Sequence, residues 1–309
     1  MTVDQLIPTA PPRTVVPRRR YGRVVALVVL AVLAAMVVNA LVTNKAFEWG
    51  VVKEYFLSGS VLHGLVVTIE LTALSMAIAI ALGIVLAVMR LSPNPIISSV
   101  AKAYIWFFRG TPLLVQLIFW FNLSALYPTL TFGVPFGPSV IELSTNEVIS
   151  AFTAALVGLS LNEAAYMAEI VRGGLLSVAA GQTEAAAALG MRSMLAMRLI
   201  ILPQAMRVIV PPTGNQVIGM LKTTSLVSVI ATQELLYSVQ LIYARTFQTI
   251  PLLLVACLWY LIVTSILSVV QMLIERHYGQ STRRPTADRG PRRGPVDPTP
   301  ALDTAGEGK

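Results

Sequence analysis

The sequence predicts an all-α polytopic membrane protein with six transmembrane helices, and three observations carry that prediction. Hydrophobic residues make up 55% of the 309-residue chain and charged residues only 12%, with a mean hydropathy of +0.73. A soluble domain of this length needs far more charge on its surface. Six segments are apolar over the roughly 20 residues that a helix rising about 1.5 Å per residue needs to cross a hydrocarbon core. The basic residues between those segments fall on alternate sides.

In chain order, Arg13, Arg18, Arg19, Arg20 and Arg23 precede a first span at Val24 to Thr43. The run "RRRYGR" ahead of apolar residues ending "VNA" also has the order of a cleaved signal peptide; the apolar stretch is longer than the usual core of such a signal. The second and third spans, Leu62 to Met89 and Ala103 to Tyr127, are long enough to tilt, and Arg90, Lys102 and Arg109 lie between or at the edge of them. The fourth span is Val148 to Val171, the fifth Val208 to Ala231 and the sixth Pro251 to Ile274. Arg172, Arg192, Arg198 and Arg207 separate the fourth from the fifth, and Arg276, Arg283, Arg284, Arg289, Arg292, Arg293 and Lys309 follow the sixth. The opposite side holds Lys45, Lys53 and Arg245, so both termini are expected in the cytoplasm, with the chain in the cell membrane. Pro211, Pro212 and Gly214 predict a bend or break in the fifth span.

Residues 280–309 are rich in Pro, Gly and charge without apolar periodicity, which predicts a disordered tail. The net charge of +8 is explained by topology and by anionic lipid headgroups rather than by nucleic acid. The single cysteine, Cys257, excludes an intramolecular disulfide, and His63 and His277 have no ligand cluster at metal-binding spacing. No Ser/His/Asp or Cys/His constellation can be assembled from the spans, so an enzyme is not expected.

One polar stretch inside this apolar chain stands out, "EAAAALGMRSMLAMRLIILP" at 184 to 203, in the loop between spans four and five. Thr183 is a plausible N-cap, Glu184 then sits at the positive end of the helix dipole, and Gly190 can take the left-handed conformation that closes a helix. Two turns of helix result, followed by a second helix from Ser193 to Leu202 that Pro203 discourages from continuing. A helix so short needs tertiary support to persist.

The spacing of Glu184, Ala185, Ala186, Gly190, Ile200, Leu202 and Pro203 resembles the EAA loop of ABC importer permeases, EAA-x3-G-x9-I-x-L-P, with every fixed position filled. "FFRGTPLLVQLIFW" at 107 to 120, "LSLNEAAYMAEIVRGGLLSVAAGQTEAAAALG" at 159 to 190, "ILPQAMRVIVPPTGNQ" at 201 to 216 and "LKTTSLVSVI" at 221 to 230 are similar to the polar amino acid uptake branch of that family. The resemblance covers about residues 60 to 276, a five-helix permease core, with residues 172–207 as its coupling loop. It makes 24–43 an additional N-terminal helix behind a cytoplasmic segment at 1–23. Thr223 stands where many relatives carry an Asp.

The resemblance implies a membrane permease subunit of an ATP-driven importer of polar amino acids. Its partners would be cytoplasmic ABC ATPase subunits, an extracytoplasmic amino acid binding protein, a second permease subunit (itself or a sister) and membrane lipid. The EAA residues would form the coupling helix seated in the ATPase. ATP belongs to that partner, because "GNQVIGMLKTT" from Gly214 has two extra residues before Lys222 for a phosphate loop. Polar residues inside the spans are candidates for the substrate pathway: Glu70, Asn162, Glu163, Asn215, Gln216, Lys222, Thr223, Thr224 and Ser225. Glu163 or Glu70 would meet the substrate ammonium and Lys222 or a hydroxyl its carboxylate; the alternative is an internal ion pair of either Glu with Lys222. Arg109 and Thr111 either snorkel at the interface or order an inner gate. The competing function is an ion-coupled secondary transporter, which leaves the loop helix unexplained.

Overall fold

The computed structural model describes residues 21–133 and 139–279; the expected disordered tail at 280–309 and most of the N-terminal segment lie outside the described residues. α1 (Tyr21–Thr43) covers the first predicted span. It buries none of its residues, and its junction with the rest is tied by Trp49 Nε1 donating to the carbonyl of Leu41 at 2.9 Å. A short α2 (Trp49–Phe56) leads into α3 (Gly59–Leu91), 33 residues long and thus about 50 Å.

The third predicted span is broken. Its residues form α4 (Pro95–Gly110) and α5 (Leu113–Phe121), bent by 100° at Thr111 and Pro112. Pro112 has no N–H to give the carbonyl of Phe108, one turn earlier, so the helical ladder loses a bond at the bend. The connection that follows also differs from an all-helical loop. α6 (Leu123–Leu126) and α7 (Thr145–Val148) flank an antiparallel hairpin of β1 (Thr129–Gly133) and β2 (Ser139–Ser144), in which Thr129 faces Ser144.

α8 (Ala151–Leu176) is the central helix, with its α3-facing side built from Ala164, Met167 and Ala168, all at most 1% exposed. The helices meet at Gly83, where an added Cβ would lie 2.6 Å from Met167 Cβ and 3.1 Å from Ala168 N. Small side chains allow this approach, and in a bilayer such packing is a main source of helix association.

The loop helix begins one turn earlier than the sequence suggests. α9 (Ala180–Ala188) has Ala179 at its N-cap and no side-chain cap, so Thr183 and Glu184 lie within it. Thr183 does not cap because the chain already turns into helix at Ala180. Gly190 closes the helix at φ 74°, its N–H bonding to Ala187 O and that of Met191 to Ala186 O, the paired pattern of a Schellman cap. α10 (Ser193–Ala196) does not stop at Pro203. It passes through a π-helical turn at Met197–Ile201 into α11 (Leu202–Thr223), with Pro203 directly after the turn in which the hydrogen-bond register changes.

α11 also stays helical through Pro211 and Pro212. Gln271 Nε2 donates to Pro211 O at 2.7 Å, tying this part of the helix to the chain that packs beside it. A 3₁₀ stretch at Thr224–Ile230 follows, then a left-handed turn at Ala231, α12 (Leu235–Thr246) and α13 (Thr249–Gly279). Among the described residues five helices are long and apolar enough to cross a membrane, six if the bent α4–α5 pair counts as one. The molecule has an end carrying the hairpin and α12, and an opposite end carrying α9.

Candidate functional site

Two features stand out: an exposed helix at one end and a polar face inside the bundle. At the α9 end, Glu184, Ala185, Ala187 and Gly190 are exposed while Ala186 is 1% exposed and anchors the helix. Leu189 and Met194 flank it at 79% exposure each, leaving apolar surface uncovered next to a flat alanine face. Ile200 lies in the π turn and is half-buried; Leu202 and Pro203 are exposed at the start of α11. Gln204 holds the loop to that helix, with Nε2 donating to Ile200 O at 2.9 Å and to Gln182 Oε1 at 3.3 Å.

Inside the bundle, Glu163, Tyr166 and Glu169 recur at three-residue intervals on one side of α8. Glu163 lies about 18 Å along α8, near its midpoint. Gln216 of α11 sits beside its carboxylate, and the other oxygen, Oε1, is buried with no hydrogen-bond partner. Toward the α9 end, a groove of about 390 Å³ is lined by Arg109, Tyr166, Glu169, Pro212, Asn215 and Gln216 among others. Arg109 stacks over the Tyr166 ring, 5.1 Å from its centroid, so it is directed across the groove mouth rather than snorkelling freely. Glu169 and Arg172 pair at 2.6 Å.

Not every predicted pathway residue faces this groove. Asn162 is buried at the α4–α5 bend, where its Nδ2 donates to Phe108 O at 2.9 Å and to Gln116 Oε1 at 3.2 Å. Gln116 Nε2 also reaches Phe108 O, at 3.1 Å, and Thr111 Oγ1, at 2.7 Å. The two amides thus replace the hydrogen bond that Pro112 cannot make, a role invisible in the sequence because the Gln116 signal lies 46 residues away. The hydroxyls of Thr223, Thr224 and Ser225 donate to the carbonyls of Gly219, Leu221 and Lys222 as the helix tightens to 3₁₀. Thr224 is fully buried, which removes it from any open pathway.

Glu70 and Lys222 are exposed. Among the described residues neither Glu70 nor Glu163 forms an ion pair with Lys222, so the internal pair suggested as an alternative is not made within one chain. Their side chains sit on different helices and point away from the packed faces. Sequence reasoning missed Glu234, a fully buried carboxylate at the N-cap of α12, which accepts from the N–H groups of Leu236 and Tyr237 and from Tyr260 OH. The only hint was its place before an apolar helix, where acidic residues cap.

Comparison with known proteins places this arrangement. Residues 79–280 match the family described as binding-protein-dependent transport system inner membrane component. The chain is 47% identical over 276 residues, 88% of its length, to the arginine transport system permease protein ArgU of Corynebacterium glutamicum, 85% of which is covered. It is 36% identical over 241 residues to the L-cystine transport system permease protein TcyB of Bacillus subtilis, covering 77% of this chain and 94% of that one. Among solved structures, the crystal structure of an amino acid ABC transporter with histidines superposes with a TM-score of 0.61 at 36% identity, over 71% of this chain and 94% of that one. The MetNI methionine ABC transporter in an inward-facing form shares the fold at a TM-score of 0.53 and 19% identity, over 71% and 95%. These likenesses set aside the ion-coupled secondary transporter. The chain belongs to the binding-protein-dependent transport system inner membrane components, as a multi-pass permease of the amino acid ABC importers.

Proposed function

We propose that the chain carries a polar amino acid past Glu163, whose carboxylate holds the substrate ammonium with the amides of Gln216 and Asn215 beside it. The observation that supports this reading is the buried, unpartnered Oε1 of Glu163, about one turn along α8 from Tyr166 and beside Gln216, both of which line the polar groove. A carboxylate at that depth is expensive unless it has a partner, and a passing cation supplies one. Lys222 is the group for the substrate carboxylate, because the neighbouring hydroxyl protons are engaged with main-chain carbonyls. Glu70 projects from an exposed side of α3 within a span, where facing lipid would be costly; a second permease subunit, the same chain or a sister, covers it.

α9 docks into a cytoplasmic ABC ATPase, and ATP-driven closure of two ATPases pulls the spans between two access states around the site. The binding protein delivers substrate at the hairpin end. The basic residues clustered at the α9 end support a cytoplasmic location for that end, with both termini on the same side. Within this scheme residues 60–276 are the permease domain, 172–207 its coupling loop and α1 an added anchor. Relatives named for arginine and for L-cystine support an amino acid as the cargo.

Purification of the tagged chain from its native membrane in mild detergent tests the partner assignment. An ATPase should copurify, and Glu184→Arg or Gly190→Val should shed it. A chain that purifies alone and moves an amino acid down an ion gradient in liposomes overturns the reading.

A further inference from the structure

A second polar pocket lies at the hairpin end, remote from Glu163. It encloses about 380 Å³ between α2, α3 and α12, and its polar lining includes Tyr55, Ser60, His63, Gln233, Ser238 and Arg245. Among the described lining residues there is no carboxylate, so the pocket presents one fixed cation, one imidazole and a set of neutral donors with no internal counter-charge. Two acids adjoin lining residues in sequence, and neither lines the pocket: Glu54, beside Tyr55, is exposed on α2, and Glu234, beside Gln233, is fully buried with its oxygens accepting from Leu236 N, Tyr237 N and Tyr260 OH. That donor set fits an anion, and the guanidinium favours a carboxylate.

The walls are rigid. α12 lies against α3 at Gly64, where an added Cβ would come within 2.8 Å of Glu234 O, and Leu235 N donates to the buried Thr68 Oγ1 at 3.0 Å. The pocket therefore exists before anything binds, which lowers the ordering cost of binding. Just beyond it, the turn into α13 presents Phe247 at 89% exposure, held in the left-handed conformation, with Ile250 at 52%. A large exposed aromatic beside a basic pocket is the composition of a protein-docking patch rather than of a small-molecule site.

We propose that this pocket receives an acidic side chain of the extracytoplasmic binding protein, its carboxylate pairing with Arg245 and His63 while Phe247 packs beside it. The inference rests on the importer reading and on its orientation. It gives the docked protein a fixed register over the pathway, since the pocket is built from α3 and α12.

The test uses the complete transporter, permease with its ATPase, reconstituted in liposomes of phosphatidylethanolamine and phosphatidylglycerol. Uptake of radiolabelled amino acid is followed against the concentration of the substrate-loaded binding protein that copurifies with the system. Arg245→Glu should raise the KM for the binding protein about tenfold, equivalent to about 1.4 kcal/mol, and Arg245→Lys should recover much of it. The steep loss of uptake with added salt should flatten in the glutamate variant. Basal ATPase activity should be unchanged in both, which shows that the variants are assembled. An unchanged KM and unchanged salt dependence overturn the proposal, as does a variant whose defect follows the free amino acid concentration instead. Wild-type transporter that ignores the binding protein altogether overturns the importer reading rather than the pocket.

Discussion

Asn162 separates a pathway role from a scaffold role, and replacement by Leu discriminates between them. The side chain makes two hydrogen bonds at the α4–α5 bend, to Phe108 O and Gln116 Oε1. Inside membrane bundles such bonds are worth on the order of 0.6 kcal/mol each, so their direct loss costs about 1 kcal/mol. Gln116 is buried, and its Oε1 would be left without the donor it has now, which adds about 1–3 kcal/mol. Phe108 O keeps Gln116 Nε2 at 3.1 Å and is spared. Asn162→Leu should therefore destabilise the permease by about 2–4 kcal/mol, read as a shift in SDS-induced unfolding of the purified protein. Gln116→Leu alone leaves Phe108 O with Asn162, whereas the double variant strips it of both, so the two changes should not add. Transport by the fraction that folds should show an unaltered KM for substrate. A variant of wild-type stability with a raised KM would refute the scaffold assignment and return Asn162 to the pathway.

Three further outcomes follow from the geometry. Gly83→Val should force α3 and α8 apart, because the atoms that its Cβ would meet are Met167 Cβ and main-chain atoms of Ala164 and Ala168; a loss of about 1–3 kcal/mol in the same unfolding assay is expected, and none would mean the interface yields freely. Glu234→Ala uncaps α12 and strands Tyr260 OH, with a loss of about 2–4 kcal/mol, whereas Tyr260→Phe alone should cost less than half as much; comparable losses would argue against the cap as the main contribution. Glu163→Gln should raise the substrate KM about tenfold while the ATPase still copurifies, and unchanged uptake would remove Glu163 from the pathway.

Much of this protein is legible along the chain because its solvent imposes simple rules. A helix crossing a bilayer must be predominantly apolar over about 20 residues, so α1, α3, α8 and α13 are visible as hydropathy alone. The EAA loop is equally local: Gly190 must be left-handed for α9 to close, and its spacing from Glu184 lies within one short segment. The basic residues flanking the spans likewise predict a direction without any knowledge of packing.

What only the tertiary structure decided were the partners of the polar groups inside the spans. In sequence, Asn162 and Glu163 are adjacent and equivalent candidates. In the fold, one is consumed by a bend that Pro112 creates more than forty residues earlier, and the other is left with a buried oxygen beside Gln216. Thr224 and Glu234 were separated in the same way, one closing a 3₁₀ turn and the other joining α12 to α13. Hydrophobicity is a property of each residue and survives in a linear reading; hydrogen-bond satisfaction belongs to pairs, and the pairs here form between helices distant in the chain.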